Sequence, residues 1–110
     1  MEWYEFRRRR DGMIYAMDGG LWMHRHTLHG ERMAHLVSSD KHTLLAWGAR
    51  HGLNPRWLQH KPLKDPRTGV RVEAWHWDLL GSKLPPRERE PLDELPGSRS
   101  QGPGSGRPET

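Results

Sequence analysis

The chain has 110 residues, a formal charge of +4 and a sequence pI of about 10.0. It has no cysteine, which excludes a disulfide framework, a thiolate metal site and a cysteine nucleophile. No apolar run approaches the ~20 residues of a membrane-spanning helix, and MEWYEFRRRRDG at residues 1–12 lacks the apolar segment of a secretory signal. A soluble, cytoplasmic protein is expected.

Hydrophobic residues make up 33% and the mean hydropathy is −1.01, too polar for a chain packed along its whole length. Six tryptophans offset this, because each buried aromatic removes about 150–250 Å² from water.

Residues 1–12 read as a basic N-terminal extension carrying Arg7, Arg8, Arg9 and Arg10. Such a run is either a solvated arm or a contact to a polyanion such as nucleic acid. MIYAM at 13–17, closed by Asp18-Gly19-Gly20, reads as a buried strand and turn. LWMHRHTLHGE at 21–31 is a hairpin excursion or a loop. Arg32–Val37 reads as a second strand, with Met33, His35 and Val37 on one face.

Ser38-Ser39-Asp40 offers N-caps for a helix from about Lys41 to His51, ended by Gly52 as a left-handed cap. Asn54-Pro55 opens a short turn. The two prolines in HKPLKDPRTG at 60–69 mark a surface loop, and Val70–Leu80 reads as a strand. The last segment, 85–110, holds 6 of the 9 prolines and few large apolar residues, so it is expected to be disordered. The expected fold class is therefore α+β: a domain over residues 13–84, with a small sheet of about three strands covered by one main helix.

AWHWDLL at 74–80 is the most informative stretch. Extended, it places Trp75, Trp77 and Leu79 on one face and His76 and Asp78 on the other. One face reads as core and the other can hold a polar site. His76 serves as a base or metal ligand, and Asp78 as its orienting or co-ligating carboxylate.

MIY at 13–15, AHLVSSD at 34–40, GL at 52–53, RWLQ at 56–59 and HWDL at 76–79 occur in an order and spacing that resembles the domain of unknown function 4031 family, a group of short bacterial proteins. The resemblance spans roughly residues 13–80. It implies a small fold of strand, strand, helix and strand, and no particular reaction. It nominates His35, Gln59, His76 and Asp78 as one constellation, with Trp57 as a stacking wall and Arg56 beside it. Against the family pattern, residues 1–12 are an extension, and Ala16 and Met17 both precede the acid Asp18.

The alternative for that constellation is that His35 and His76 are hydrogen-bonded core histidines and Asp78 caps a turn. A second constellation is His24, His26 and His29. In a strand His24 and His26 face the same way, which suits two metal ligands completed by Asp18 or Glu31; otherwise this is a histidine-rich loop. A third is the cationic set of Arg7–Arg10, Arg56, Lys61, Lys64, Arg67 and Arg71, which with tryptophans would suit a single-stranded nucleic acid. Phosphate-loop, dinucleotide and nucleophile-elbow motifs are missing from the sequence. The expected function is a His/Asp-centred ligand-binding or hydrolytic domain for an unidentified small molecule, its cofactor unspecified. The alternative is a non-catalytic accessory protein that binds nucleic acid or another partner.

Overall fold

The computed structural model describes residues 2–95. In chain order these form β1 (Trp3–Tyr4), α1 (Arg9–Met17), β2 (Leu21–Leu28), β3 (Glu31–Ser38) and α2 (Lys41–Arg50). A single 3₁₀ turn (Pro55–Trp57) leads to β4 (Gln59–His60), β5 (Leu63–Lys64), β6 (Arg71–Val72) and β7 (Trp75–Leu80). The class is α+β, as expected. The sheet is larger than three strands: five run in the order β1-β2-β3-β7-β4, and β5 and β6 pair separately. Within the five-stranded sheet of the described residues, β1–β2 is the one parallel pair. No helix among the described residues is long and apolar enough to cross a membrane.

The central strands form where the alternation is strongest. LWMHRHTLHGE is a hairpin arm: Leu28 pairs with Glu31 across a two-residue turn. His29 (φ 52°) and Gly30 (φ 82°) both have positive φ, the geometry that matches a turn to the twist of its strands. The strand expected over 70–80 is split, with Arg71–Val72 leaving the main sheet to pair with Leu63–Lys64 inside the expected loop.

One face of the sheet is apolar. Leu21, Met23, Ala34, Leu36, Trp77 and Leu79 pack there against Leu44, Trp47 and Leu53. α2 covers this face. Its N-cap Asp40 accepts a hydrogen bond from the Thr43 amide at 3.1 Å, and Gly52 ends it at φ 71°, both as expected. Trp77 donates its indole N–H to the Leu44 carbonyl at 2.9 Å. A side chain at Gly48 would collide with the Trp77 ring. Burying that ring contributes roughly 4–6 kcal/mol of transfer free energy before entropy is counted.

The opposite face is only partly covered. MIYAM is not a strand but the end of α1, and α1 packs on this face through Ala16 and Met17, beside Trp22, Val37 and Ala74. A short apolar run does not distinguish strand from buried helix by periodicity. Gly12 and Ala16, four residues apart on one helix face, are both buried. A Cβ at Gly12 would meet the Trp22 indole.

Both ends of the expected domain need correction. The described part of the expected extension, residues 2–12, packs on the domain: β1 adds to the sheet beside β2 and α1 begins at Arg9. Residues 85–95 return along this N-terminal segment. The Leu92 amide donates to Glu5 O at 2.7 Å, and the Arg7 amide to Leu92 O at 2.9 Å. The buried Glu5 carboxylate binds Arg87 (2.7 Å) and Arg25 (2.9 Å). Ion pairing across distant segments is invisible to composition, so a polar, proline-rich stretch reads as unpacked. Residues 96–110, the rest of the expected disordered tail, lie outside the described residues.

Candidate functional site

The partly covered face carries a row of imidazoles. Because β2, β3 and β7 are antiparallel neighbours, His24 is paired with His35, and His35 with Asp78. One step along the ladder, Val37 pairs with His76, and His76 with Gln59 on β4. The period of two then sets His24, His26, His35, His76, Asp78 and Gln59 on one side of the sheet.

His35, His76 and Asp78 converge most closely. Each offers one ligand atom, and these atoms lie within 4.8 Å of one another. Asp78 Oδ1 is 3.0 Å from His35 Nε2 and 3.2 Å from His76 Nδ1. The His76 nitrogen is nevertheless buried with no hydrogen bond, so it approaches Asp78 at an unsuitable angle for one. The other oxygen, Oδ2, accepts a 2.6 Å hydrogen bond from Gln59 Nε2. Asp78 is thus braced on one side and shared by two imidazoles on the other.

The electrostatics favour neutral imidazoles. Burial pushes His35 below the ordinary histidine value, His76 beside it pushes further, and Asp78 opposes. Burial also lowers His76, against Asp78 and with help from Lys61. His24 is lowered by burial, then by Arg9 and His26. Neutral imidazole is the form that offers a lone pair to a metal or accepts a proton.

The cluster opens into a cavity of about 560 Å³, lined by Arg9 from α1, by Trp22, His24, His26, His35 and Val37, by Gln59, His60, Lys61 and Leu63, and by Trp75, His76 and Asp78. The imidazole rings step across it: His24 stacks on Trp22 at 4.8 Å, His26 lies 4.7 Å from His35, and His35 meets His76 edge-on at 4.8 Å.

Of the residues nominated from sequence, His35, Gln59, His76 and Asp78 therefore meet, whereas Trp57 and Arg56 do not join them. Trp57 is 57% exposed on the 3₁₀ turn, and Arg56 lines a separate groove with Lys41 and Trp75 on the α2 side. His24 and His26, expected at most as a separate metal site, belong to the same cavity. Asp18 does not complete a site with them, because Arg67 holds it at 2.8 Å, and His29 sits in the hairpin turn. The four consecutive arginines are not a free arm. Arg7 is 2.7 Å from Asp93, Arg8 precedes α1, and Arg9 reaches the cavity. The signal for the His24–His26 contribution was their spacing of two; the strand register that aligns them with His35 carries no local signature.

No family model, no curated protein and no solved structure matches the chain.

Proposed function

We propose that the protein is a small metal-dependent ligand-binding or hydrolytic domain, with a divalent transition-metal ion held by His35, His76 and Asp78. The observation that carries the reading is the convergence of two imidazole nitrogens and a carboxylate oxygen within 4.8 Å at the floor of an open cavity. Two histidines and one carboxylate suit zinc, iron or cobalt and leave coordination positions free. The Nδ1 of His76, buried and poorly aligned with Asp78 Oδ1 3.2 Å away, supports the same reading. A nitrogen kept from water and from hydrogen bonds is costly unless a ligand satisfies it.

Bound there, the ion would polarise a ligand oxygen and lower the pKa of a coordinated water toward ~7. The chain's own residues do the rest. Gln59 fixes the Asp78 carboxylate so that one oxygen faces the histidines, the outer-shell role that orients a metal ligand. Trp22 and Val37 give the cavity an apolar wall. Membership of the domain of unknown function 4031 family is part of this proposal. It is supported by the HLV and HWDL segments, which supply all three proposed ligands.

The test is a Co²⁺ titration followed by visible absorption. One saturable site is expected, lost in His35→Ala, His76→Ala and Asp78→Asn and retained in His29→Ala, whose residue lies in the hairpin turn. Failure of Co²⁺ to saturate a site, or equal binding by all four variants, would refute the reading.

A further inference from the structure

Most arginines with close partners in this protein are spent on structure. Arg25 and Arg87 hold Glu5, Arg67 holds Asp18 and Asp65, and Arg89 holds Glu2. At the cavity the pattern differs. Arg9 and Lys61 both line it, and neither has an ion-pair partner among the described residues. Arg9 comes from α1, which packs on β2 and β3, and Lys61 follows β4, the edge strand beside β7. Arg9 bears electrostatically on His24 of β2, and Lys61 on His76 of β7. The Lys61 amide is fixed to the Ala74 carbonyl at 2.8 Å, so the backbone that carries this cation is part of the sheet edge.

We propose that the cavity takes a phosphate-bearing ligand, drawn in by Arg9 and Lys61 toward His35, His76 and Asp78. The proposal deepens the reading of this cavity as the functional site and rests on it. Charge decides the class of ligand. Among the described residues Asp78 is the one carboxylate that lines the cavity, and Arg9 and Lys61 exceed it by one positive charge with no metal counted. Two free cations then face the space. A phosphate monoester, close to a dianion at neutral pH, offers each cation its own charged oxygen, whereas a carboxylate monoanion shares one charge between them. Arginine and lysine are also the side chains suited to phosphate oxygens. A nucleic-acid strand presents phosphodiesters instead, each a monoanion, and is the competing source of phosphate.

The experiment is calorimetric titration of the metal-free full-length chain with phenyl phosphate, benzoate and a short oligothymidylate lacking a terminal phosphate. Phenyl phosphate is expected to bind more tightly than benzoate. Arg9→Gln and Lys61→Gln should each weaken it roughly tenfold, the size of one charge-assisted hydrogen bond, while Co²⁺ binding is kept or strengthened, because a repelling cation is removed. Asp78→Asn should abolish Co²⁺ binding yet tighten phenyl phosphate, because a negative charge is removed from the cavity. Tighter binding of the oligothymidylate, still dependent on Arg9 and Lys61, would identify a strand as the phosphate source. Equal affinity for benzoate, or phosphate binding indifferent to both cation variants, would overturn the proposal. Co²⁺ binding without any phosphate binding would overturn it and leave the metal reading intact; phosphate binding without Co²⁺ binding would do the reverse.

Discussion

Asp78 lies directly opposite His35 in the β3–β7 ladder, with its Oδ1 3.0 Å from the imidazole Nε2. This is a cross-strand pair on a face where apolar residues would normally meet a helix. It brings a carboxylate and an imidazole together without a loop, so the geometry is set by sheet register. A site built on strands is held more rigidly than one built on loops.

Gln59 tests how far that register matters. Its amide donates to Asp78 Oδ2 at 2.6 Å from the edge strand. Gln59→Ala should weaken metal binding by about 10–100-fold, the usual cost of losing an outer-shell partner. The pair is exposed, so the urea midpoint should stay within about 0.5 kcal/mol of the parent. Calorimetry and urea unfolding on the same preparation check both halves.

Acid should destabilise the metal-free chain through the histidine face. His24, His35 and His76 are all held below the ordinary histidine value, mainly by burial. In the unfolded chain each returns to about 6.5, so between the folded and unfolded values the unfolded state binds more protons. Their contribution to stability is present above pH ~6.5 and is lost as pH falls through the folded values. The urea midpoint is expected to drop between about pH 7.5 and pH 5, and the drop should shrink in His24→Gln. A midpoint that rises on acidification would contradict this assignment.

Gly48 reports on the opposite face. Its missing side chain lets the Trp77 ring pack against α2, where Trp77 is 1% exposed. Gly48→Val should cost about 1–3 kcal/mol by overpacking, read as a lower urea midpoint with an unchanged slope. Phosphate and metal binding, on the other side of the sheet, should survive in the fraction that folds.

The Glu5 contacts make residues 85–95 part of the fold. A chain ending at Leu84 loses Arg87 from the buried Glu5 carboxylate and Leu92 from the Glu5–Arg7 backbone. It should be less stable than the full chain. Glu5→Gln should cost about 1–3 kcal/mol, because Arg25 is left partly buried with a weakened partner. Equal thermal midpoints for the full and shortened chains would show that these contacts contribute nothing.

Much of the central sheet could be read from alternation. Trp77 and Leu79 are core, while His76 and Asp78 face the other way, as the period of two in AWHWDLL requires. The α2 caps were legible for the same local reason: Asp40 and Gly52 are suited to one backbone role each. What could not be read was non-local. MIYAM carries no periodicity long enough to separate helix from strand, and the close approach of Gly12 to Trp22, which seats the helix on the sheet, has no local signature. His24 joined the His35 site through register, which depends on the His29-Gly30 turn and on β7 pairing. Trp57 was misplaced because an exposed tryptophan and a cavity-lining one look alike in sequence.

The most direct measurement is an anomalous difference map from a crystal of the full chain soaked with Zn²⁺ and recorded at the zinc edge. One strong peak is expected, coordinated by His35 Nε2, His76 Nδ1 and Asp78 Oδ1. A cavity with no peak there, or a peak held by other residues with this cluster unoccupied, would contradict it.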